Sequence, residues 1–163
     1  MSQHLSRLLV VGGHGFIGSH IANHAVECGW DVTSLSLSHR QGNKEVHSAG
    51  MRHVTADITN SRELREALGD ASFEYVVNCG GYIDHALFFS GGRKLLDAHF
   101  LGVANLAEIL DRNVLRAFVN IGSSDEYGNT PAPQLEMQRE APISPYSLAK
   151  VAATHFLQML HRT

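Results

Sequence analysis

Three glycines spaced three residues apart, Gly12, Gly15 and Gly18, separate a short apolar run from a segment with helical periodicity. The segment RLLVVGG, residues 7–13, which leads into them, predicts a strand that is buried on both faces of a sheet. Residues 16–28 carry apolar side chains at helical spacing and predict a helix. A strand that passes through a glycine-rich turn into a helix begins a βαβ unit, which restricts the chain to α/β architectures.

The rest of the chain repeats the alternation of strands and helices. Further strands are expected at residues 31–37, 52–57, 74–81 and 115–123. Further helices are expected at residues 61–68, 93–112 and 146–162, after a proline-containing loop at 129–145. Ser61 is a candidate N-cap for the second of the four helices. This order predicts a Rossmann-like, doubly wound parallel sheet of about five strands, and the 163 residues are the length of one domain, 1–163.

Composition and charge exclude several classes of function. The net charge of −3 leaves no basic field for nucleic acid or an anionic membrane. No apolar run is long enough to span a bilayer and no secretory leader is recognisable, so we expect a cytoplasmic protein. Cys28 and Cys79 are then expected to be reduced, buried thiols. His20 and His24 have a chelating spacing, but the sequence offers no third ligand nearby, so we predict no metal site.

The position of the glycine loop predicts a bound dinucleotide. In a βαβ fold such a loop turns tightly and lets the backbone approach a pyrophosphate, while the helix start offers free N–H groups and the positive end of its dipole. Residues 12–18 satisfy GxxGxxG and, through Gly13, also GxGxxG. A turn without a ligand is the alternative, and a Walker loop is excluded because no Gly-Lys-Ser/Thr follows. The expected cofactor contacts here are Gly12, Gly13, Gly15, Phe16, Ile17 and Gly18.

The end of the second strand bears on the choice of cofactor. An acidic residue about 20 positions after the glycines binds the ribose diol of NAD. Ser36 stands at that place, followed by Arg40, and the segment SLSLSHR has no carboxylate. Because hydroxyl groups and a guanidinium bind a 2′-phosphate, we expect NADP to be preferred, with NAD as the alternative.

The segment SPYSLAK places Tyr146 and Lys150 four residues apart, on one face of a helix. Ser144 is suited to cap that helix and Pro145 to occupy its first turn. A free tyrosine has a pKa of about 10. A neighbouring ammonium group and a positively charged nicotinamide favour the phenolate, so such a tyrosine is able to act as an acid or a base.

The segment NIGSSDEYG follows the fifth strand, at the edge of the sheet where ligands bind in open α/β folds. Ser123 and Ser124 offer hydroxyl groups for a reacting oxygen, and Asp125 and Glu126 offer carboxylates for proton transfer. The alternative is that these four residues only form a turn.

Together these motifs resemble the extended short-chain dehydrogenases/reductases, the NAD(P)-dependent nucleotide-sugar epimerases, dehydratases and ketoreductases. The matching pieces are GGHGFIG, ADIT, VVNCGG, SSDEYG and PYSLAK, in the order and at the spacing of the family. The resemblance implies a catalytic Ser123, Tyr146 and Lys150, with Asp125 at an acidic position used by sugar 4,6-dehydratases. It also implies further cofactor contacts, with Asp57 touching the adenine ring. These further contacts are Asp57, Ile58, Cys79, Gly80, Gly81, Tyr146 and Lys150.

The implied chemistry is hydride transfer at C4 of a nucleotide sugar. Tyr146 takes the proton of the 4-hydroxyl group, Ser123 orients that oxygen, and Lys150 binds the nicotinamide ribose. The 4-keto sugar is then reduced on its other face, as in an epimerase, or loses water, for which Asp125 and Glu126 are the candidate acid and base. A reductase that uses NADPH, and a fragment that binds a dinucleotide without catalysis, remain as alternatives.

The chain departs from the family pattern in three residues and in length. His14 replaces a small residue of the glycine loop, Asn78 stands where histidine is frequent, and His99 stands where asparagine is usual. Members of the family are longer, so the chain is expected to hold the cofactor half and to lack the C-terminal substrate domain. The resemblance also implies a homodimer formed through the long helix and the Tyr146 helix. The apolar residues offered for it are Leu96, Phe100, Val103, Leu106, Leu148, Val151, Phe156 and Met159.

Overall fold

A computed structural model describes residues 5–38 and 50–163, so Arg40 lies outside the described residues. The chain forms two compact units. The first, called the sheet unit, comprises the residues up to Gly80 together with Asn105–Ile121. The second, called the helical unit, comprises Gly81–Ala104 and Gly122–Thr163.

Five parallel strands in the order β3-β2-β1-β4-β5 form the sheet unit. They are β1 Arg7–Val11, β2 Asp31–Ser36, β3 Arg52–Thr55, β4 Tyr75–Asn78 and β5 Ala117–Asn120. This confirms the parallel doubly wound sheet predicted from the alternation. Each strand ends one to three residues earlier than predicted, and the residues that follow it form the loops at the carboxyl edge.

Helices cover both faces of this sheet. Alternate residues of β1 point to opposite faces, and its last four are all buried. On one face α1, Phe16–Glu27, buries Ala22 in a core cluster with Leu8 and Val10. On the other face α2, Ser61–Leu68, and residues 105–109 pack against a cluster that contains Leu9 and Val11. The prediction of a strand buried on both faces is therefore confirmed.

Two local predictions in the sheet unit are wrong. Asn60, and not Ser61, caps α2, because its side-chain oxygen accepts a hydrogen bond of 3.2 Å from the backbone N–H of Glu63. Cys28 is exposed and Cys79 is half-buried, whereas both were expected to be buried, and the two do not form a disulfide. Cys28 directly follows α1, where the helix has ended and its side chain faces outward.

The segment predicted as one helix over residues 93–112 begins in the helical unit and belongs to the sheet unit from Asn105 onward. Its backbone is helical from α3, Arg93–Leu96, through a π-helical segment, Asp97–Leu101, into α4, Gly102–Ile109. The N–H of Gly102 bonds to the carbonyl of Asp97, five residues earlier. This wider turn inserts one extra residue and rotates the side chains that follow it relative to those before it.

The longest helix of the described chain is α5, Pro145–Arg162, which packs against α3 and the π-helical segment. Ser144 caps it, since its hydroxyl oxygen accepts from the N–H of Ser147 at 3.1 Å, and Pro145 occupies the first turn, as predicted. Two short 3₁₀ helices, Phe88–Ser90 and Ser124–Tyr127, complete the unit. Within residues 5–38 and 50–163 no helix combines the length and the hydropathy that crossing a membrane requires.

Candidate functional site

The glycine loop of the sheet unit is a tight turn that excludes side chains. Gly12 has φ of +76°, a conformation that disfavours any residue with a Cβ. A Cβ there would lie 2.8 Å from the carbonyl oxygen of Cys79 and from the nitrogen of Gly80. The N–H of Gly12 donates to the carbonyl of Leu35 at 2.8 Å, which fixes the turn to β2.

The start of α1 rests directly on this turn. A Cβ at Gly18 would overlap the carbonyl group of Gly12, so the glycine lets the helix approach the loop. Gly15 is exposed, and so are Phe16 (83%) and Ile17 (48%), so these two apolar residues do not join the buried face of α1. The first N–H groups of a helix have no hydrogen-bond partner within it. In α1 these groups lie next to Gly15, which is exposed and has no side chain. This cradle fits the pyrophosphate of a dinucleotide.

Ser36, whose hydroxyl was predicted to bind the 2′-phosphate on the cofactor ribose, connects the glycine loop to β2. Its side chain is buried, and its hydroxyl oxygen accepts a hydrogen bond of 3.1 Å from the backbone N–H of His14. His14 also contacts the carbonyl of Ser38 through its ring nitrogen Nδ1 at 3.0 Å. His14, unusual in a loop of this kind, therefore helps to join the loop to the end of β2.

The residues after β3 form a compact polar turn. Asp57 is half-buried, and its Oδ1 accepts hydrogen bonds of 2.8 Å from both the N–H and the hydroxyl of Thr59. The carbonyl of Ile58 accepts from Nδ2 of Asn105 at 2.8 Å. Asn105 was not predicted as part of this region; its signal in the sequence is a single asparagine within an otherwise apolar helix stripe.

The ends of β4 and β5 are joined by a pair of amides. Asn78 is buried, and its Nδ2 donates to Oδ1 of Asn120 at 2.7 Å. Its Oδ1 accepts the N–H of Gly80 at 3.0 Å, while the N–H of Cys79 donates to the carbonyl of Val11 at 2.9 Å. Asn78 thereby holds the backbone at the carboxyl edge of the sheet, where Cys79 and Gly80 were predicted to contact a cofactor.

In the helical unit, Tyr146 and Lys150 form a buried pair. They lie one turn apart on α5 and are only 5% and 7% exposed. Nζ of Lys150 is 5.8 Å from the centroid of the Tyr146 ring, within reach of a cation–π interaction. Burial of an ammonium group beside a phenol is costly unless the two interact, so the arrangement concentrates positive charge at this tyrosine.

The segment predicted to supply a catalytic serine is a capped 3₁₀ turn. The hydroxyl oxygen of Ser123 accepts from the N–H of Asp125 at 3.2 Å, and the carboxylate of Glu126 accepts from the N–H of Ser123 at 2.8 Å. The alternative of a turn is thus present in the structure. The turn uses the Ser123 hydroxyl only as an acceptor, so its hydrogen is still available for donation to a ligand.

The two neighbouring carboxylates have different surroundings. Glu126 is buried, and its second oxygen accepts from the hydroxyl of Thr154 on α5 at 3.2 Å. The carboxylate of Asp125 is about 40% exposed and lies 3.9 Å from Nδ1 of His85, with which it forms an ion pair when the imidazole is protonated. Glu126 therefore serves to hold the turn on α5, and Asp125 faces an accessible imidazole.

Two histidine rings contact Tyr146, and neither histidine was predicted to belong to the site. The ring of His85 lies 6.2 Å from that of Tyr146, and the ring of His99 lies 4.9 Å away at an interplanar angle of 89°. His99 is buried in the π-helical segment. Burial lowers its pKa below the ordinary value; the hydrogen bond to the carbonyl of Tyr82 opposes this effect, and the positive charge of Lys150 adds to it. His99 stood out in the sequence only as a departure from the family pattern.

A cluster of three or more metal-ligating side chains does not occur in the part of the chain that the structure describes. Gly81, which was also predicted to contact the cofactor, belongs to the helical unit and has φ of +116°. Its Cα lies against the His99 ring, so that a Cβ would clash with the imidazole.

Comparison with known proteins agrees with this fold and identifies its family. The family model described as the NAD dependent epimerase/dehydratase family matches residues 8–163. A UDP-glucose 4-epimerase of Streptomyces lividans is 28% identical over 93% of the chain, and the match spans 46% of that enzyme. A GDP-mannose 4,6-dehydratase of Sordaria araneosa, sdnI, is 27% identical over 92% of the chain and 29% of its own length.

The fold has close counterparts among solved structures. The Thermus thermophilus UDP-glucose 4-epimerase, solved as a complex with NAD, superimposes with a TM-score of 0.81 at 25% identity. The match covers 96% of this chain and 51% of that one. The chain thus spans about half the length of the enzymes it resembles, or less.

Proposed function

Because the chain belongs to the NAD-dependent epimerase/dehydratase family, we propose that it is a nucleotide-sugar epimerase/dehydratase-type oxidoreductase that acts at C4 of the sugar. The observation that carries this proposal is the buried Tyr146–Lys150 pair on one face of α5. Relatives that act on UDP-glucose or GDP-mannose support a nucleotide sugar as the substrate class.

The cofactor of this reaction is a nicotinamide dinucleotide, NAD or NADP. When bound, its nicotinamide ring would accept a hydride from the sugar carbon and return it. We assign the pyrophosphate to the glycine loop, with Gly12, Gly15 and Gly18 giving room for close backbone approach. Asp57 and Ile58 are assigned to the adenine side. The turn between Asp57 and Thr59 supports this assignment, since it holds the Asp57 carboxylate in one orientation.

The proton chemistry is assigned to α5 and the turn before it. Tyr146 takes the proton of the sugar hydroxyl, and the ammonium group of Lys150 lies one helical turn away, 5.8 Å from the centre of the phenol ring. Ser123 donates its hydroxyl hydrogen to the same sugar oxygen. As an N-cap, the Ser123 hydroxyl accepts a hydrogen bond, and this leaves its own hydrogen available for donation. Lys150 is also assigned to the nicotinamide ribose.

Of the two carboxylates considered for a dehydration step, the contacts favour Asp125. Glu126 accepts two hydrogen bonds within the helical unit and is buried, whereas Asp125 is partly exposed beside His85. A carboxylate that exchanges protons with a substrate must be reachable by it. We therefore assign Asp125, and not Glu126, to acid–base chemistry at the carbons next to C4.

The test is to incubate the chain with NAD⁺ and, in turn, UDP-glucose, dTDP-glucose and GDP-mannose, and to follow products by chromatography and mass spectrometry. An epimerase gives a product of unchanged mass, and a dehydratase gives one that has lost water. Tyr146→Phe removes the transferable proton and is expected to lower turnover by about 10²–10⁴-fold. Tyr127→Phe, in the same unit, is the matched control. Turnover that survives Tyr146→Phe would refute the assignment.

Binding without turnover would instead support a dinucleotide-binding fragment that lacks catalysis. Fluorescence titration with NADH separates this outcome from a chain that binds no dinucleotide. No binding at all would remove both functions.

A preference for NADP over NAD is a further proposal. It rests on the absence of a carboxylate in the segment Ser36–Ser38 that ends β2, where NAD-binding sites carry one. Arg40→Ala is expected to weaken NADPH binding by at least tenfold, the value of one charge-assisted hydrogen bond, and to leave NADH binding within about twofold. Equal losses for the two cofactors would contradict the preference.

A homodimer through the helical unit is also proposed. Of the apolar residues offered for it, Leu148 and Met159 on α5 are 49% and 46% exposed, and Phe100 and Phe156 pack edge to face while half-buried. Val103 and Leu106 are buried within the chain and do not take part. Light scattering of the wild type and of Leu148→Glu tests this; a monomer in both would contradict it.

A further inference from the structure

His99 is the one buried histidine of the described chain, 4% exposed, and no part of the assigned chemistry uses it. It lies in the π-helical segment, a rare turn that inserts an extra residue into a helix and is frequent at functional sites. The turn brings the imidazole against three partners of the helical unit: the ring of Tyr146, the carbonyl of Tyr82 and the backbone of Gly81.

The hydrogen bond of His99 defines its tautomer. Nε2 lies 2.8 Å from the carbonyl oxygen of Tyr82. A carbonyl only accepts, so Nε2 carries the hydrogen, and in the neutral ring Nδ1 is the unprotonated nitrogen. A second proton on Nδ1 would create a buried cation close to the ammonium group of Lys150, which burial and charge repulsion both oppose.

The imidazole is wedged between the loop after β4 and the tyrosine of α5. A Cβ at Gly81 would lie 2.7 Å from Nδ1 and 3.0 Å from Nε2, so glycine is required for the ring to lie there. On another side the ring meets that of Tyr146 at 89° and 4.9 Å. A perpendicular aromatic pair at this distance restricts the orientation of both rings.

We propose that His99 is a positioning residue for Tyr146: as a neutral imidazole anchored to the Tyr82 carbonyl, it sets the orientation in which the phenol exchanges a proton with the substrate. This inference rests on the proposed function, which gives Tyr146 the proton-transfer role. The titratable groups that surround the ring are Tyr82 from the loop and Tyr146 and Lys150 from α5. His85 also contacts Tyr146, and Asp125 is the ion partner of His85.

The first measurement does not depend on turnover. Tyrosine labelled with ¹³C at Cζ gives one signal for Tyr146, identified by its loss in Tyr146→Phe. In the wild type this signal is expected to shift as acidification protonates His99. In His99→Phe the Tyr146 signal is expected to have a different chemical shift at neutral pH and no change on acidification. In the exposed control His161→Phe, the chemical shift at neutral pH and its change on acidification are both expected to match those of the wild type. A Tyr146 signal that ignores both the titration and the replacement of His99 would overturn the proposal.

The second measurement uses the reaction. A misplaced reacting group costs about 10²-fold in rate, so His99→Phe is expected to lower kcat by about that factor while KM and the NADH dissociation constant change less than twofold. His99→Asn, whose amide is able to donate to the Tyr82 carbonyl, is expected to restore at least a tenfold part of the loss. Unchanged kcat in His99→Phe overturns the proposal.

Thermal unfolding of each variant shows whether the chain is folded. If His99→Phe does not fold, His99→Asn is used as the test variant in its place. If the wild type turns over no nucleotide sugar, the proposed function fails. The ¹³C measurement then still decides whether His99 orients Tyr146.

Discussion

Replacing Gly12 with alanine tests whether the glycine loop is required by backbone geometry. Gly12 has φ of +76°, and a Cβ would lie 2.8 Å from two backbone atoms of Cys79 and Gly80, which have little room to move. Gly29 has nearly the same φ, +79°, but a Cβ added there would have no atom within 4 Å. The two substitutions therefore share the conformational strain and differ in the steric clash.

The magnitudes follow from these two terms. Left-handed backbone costs a residue with a Cβ about 1–2 kcal/mol, while the smaller entropy of the unfolded alanine chain offsets about 0.4–1 kcal/mol. Gly29→Ala is thus expected to lower the free energy of unfolding by about 1 kcal/mol. An overpacked contact adds about 1–3 kcal/mol, so Gly12→Ala is expected to cost about 2–4 kcal/mol.

Thermal denaturation followed by circular dichroism measures the difference. For a chain of this size each kcal/mol lowers Tm by about 2–4 °C, so Gly12→Ala should melt several degrees below Gly29→Ala. Gly12→Ala should also lose affinity for NADH because the loop is displaced, and Gly29→Ala should keep it. Equal Tm values for the two variants would refute the argument that close backbone approach requires Gly12.

Three further outcomes are expected from contacts that the sequence did not reveal. Asn60→Ala should destabilise the chain by about 1 kcal/mol in urea denaturation, while Ser61→Ala should change it little, because Asn60 is the N-cap of α2; the reverse order would restore Ser61 as the cap. Glu126→Gln should cost about 1–3 kcal/mol, because an amide replaces a carboxylate that accepts two hydrogen bonds. Thr154→Val, which removes one of those bonds, should cost less; an equal or larger cost would contradict the role of Glu126 in holding the turn. Stability should fall as the pH drops below about 6.5, the ordinary pKa of histidine, because His99 has a lowered pKa when folded and the unfolded chain binds the proton more readily; His99→Asn should flatten this dependence, and an unchanged slope would contradict the assignment.

The alternation of strands and helices was readable from the sequence because it depends on local patterns. An apolar run followed by glycines predicts a buried strand and a tight turn, and the structure has both at β1 and Gly12. The four-residue spacing of Tyr146 and Lys150 placed them on one face of α5 for the same reason, since helical geometry repeats over that interval. Ser144 and Pro145 likewise marked the start of that helix.

Boundaries and caps were predicted less well, because neighbouring residues compete for the same role. Asn60 and Ser61 are both suitable N-caps, and the backbone turn before α2 decides between them. The π-helical segment left no signal either, because the apolar residues of 93–112 fit a regular helix over most of their length.

What the sequence alone determined is the βαβ order, the glycine loop and the Tyr146–Lys150 helix, since each follows from residues within a few positions of one another. Only the tertiary structure decided which distant groups meet: Asn78 with Asn120, Glu126 with Thr154, and His99 with Tyr146. These partners lie 28–47 residues apart along the chain, so no local pattern links them. Their pairing depends on how strands and helices pack, and packing assigned Glu126 to the scaffold and left Asp125 accessible.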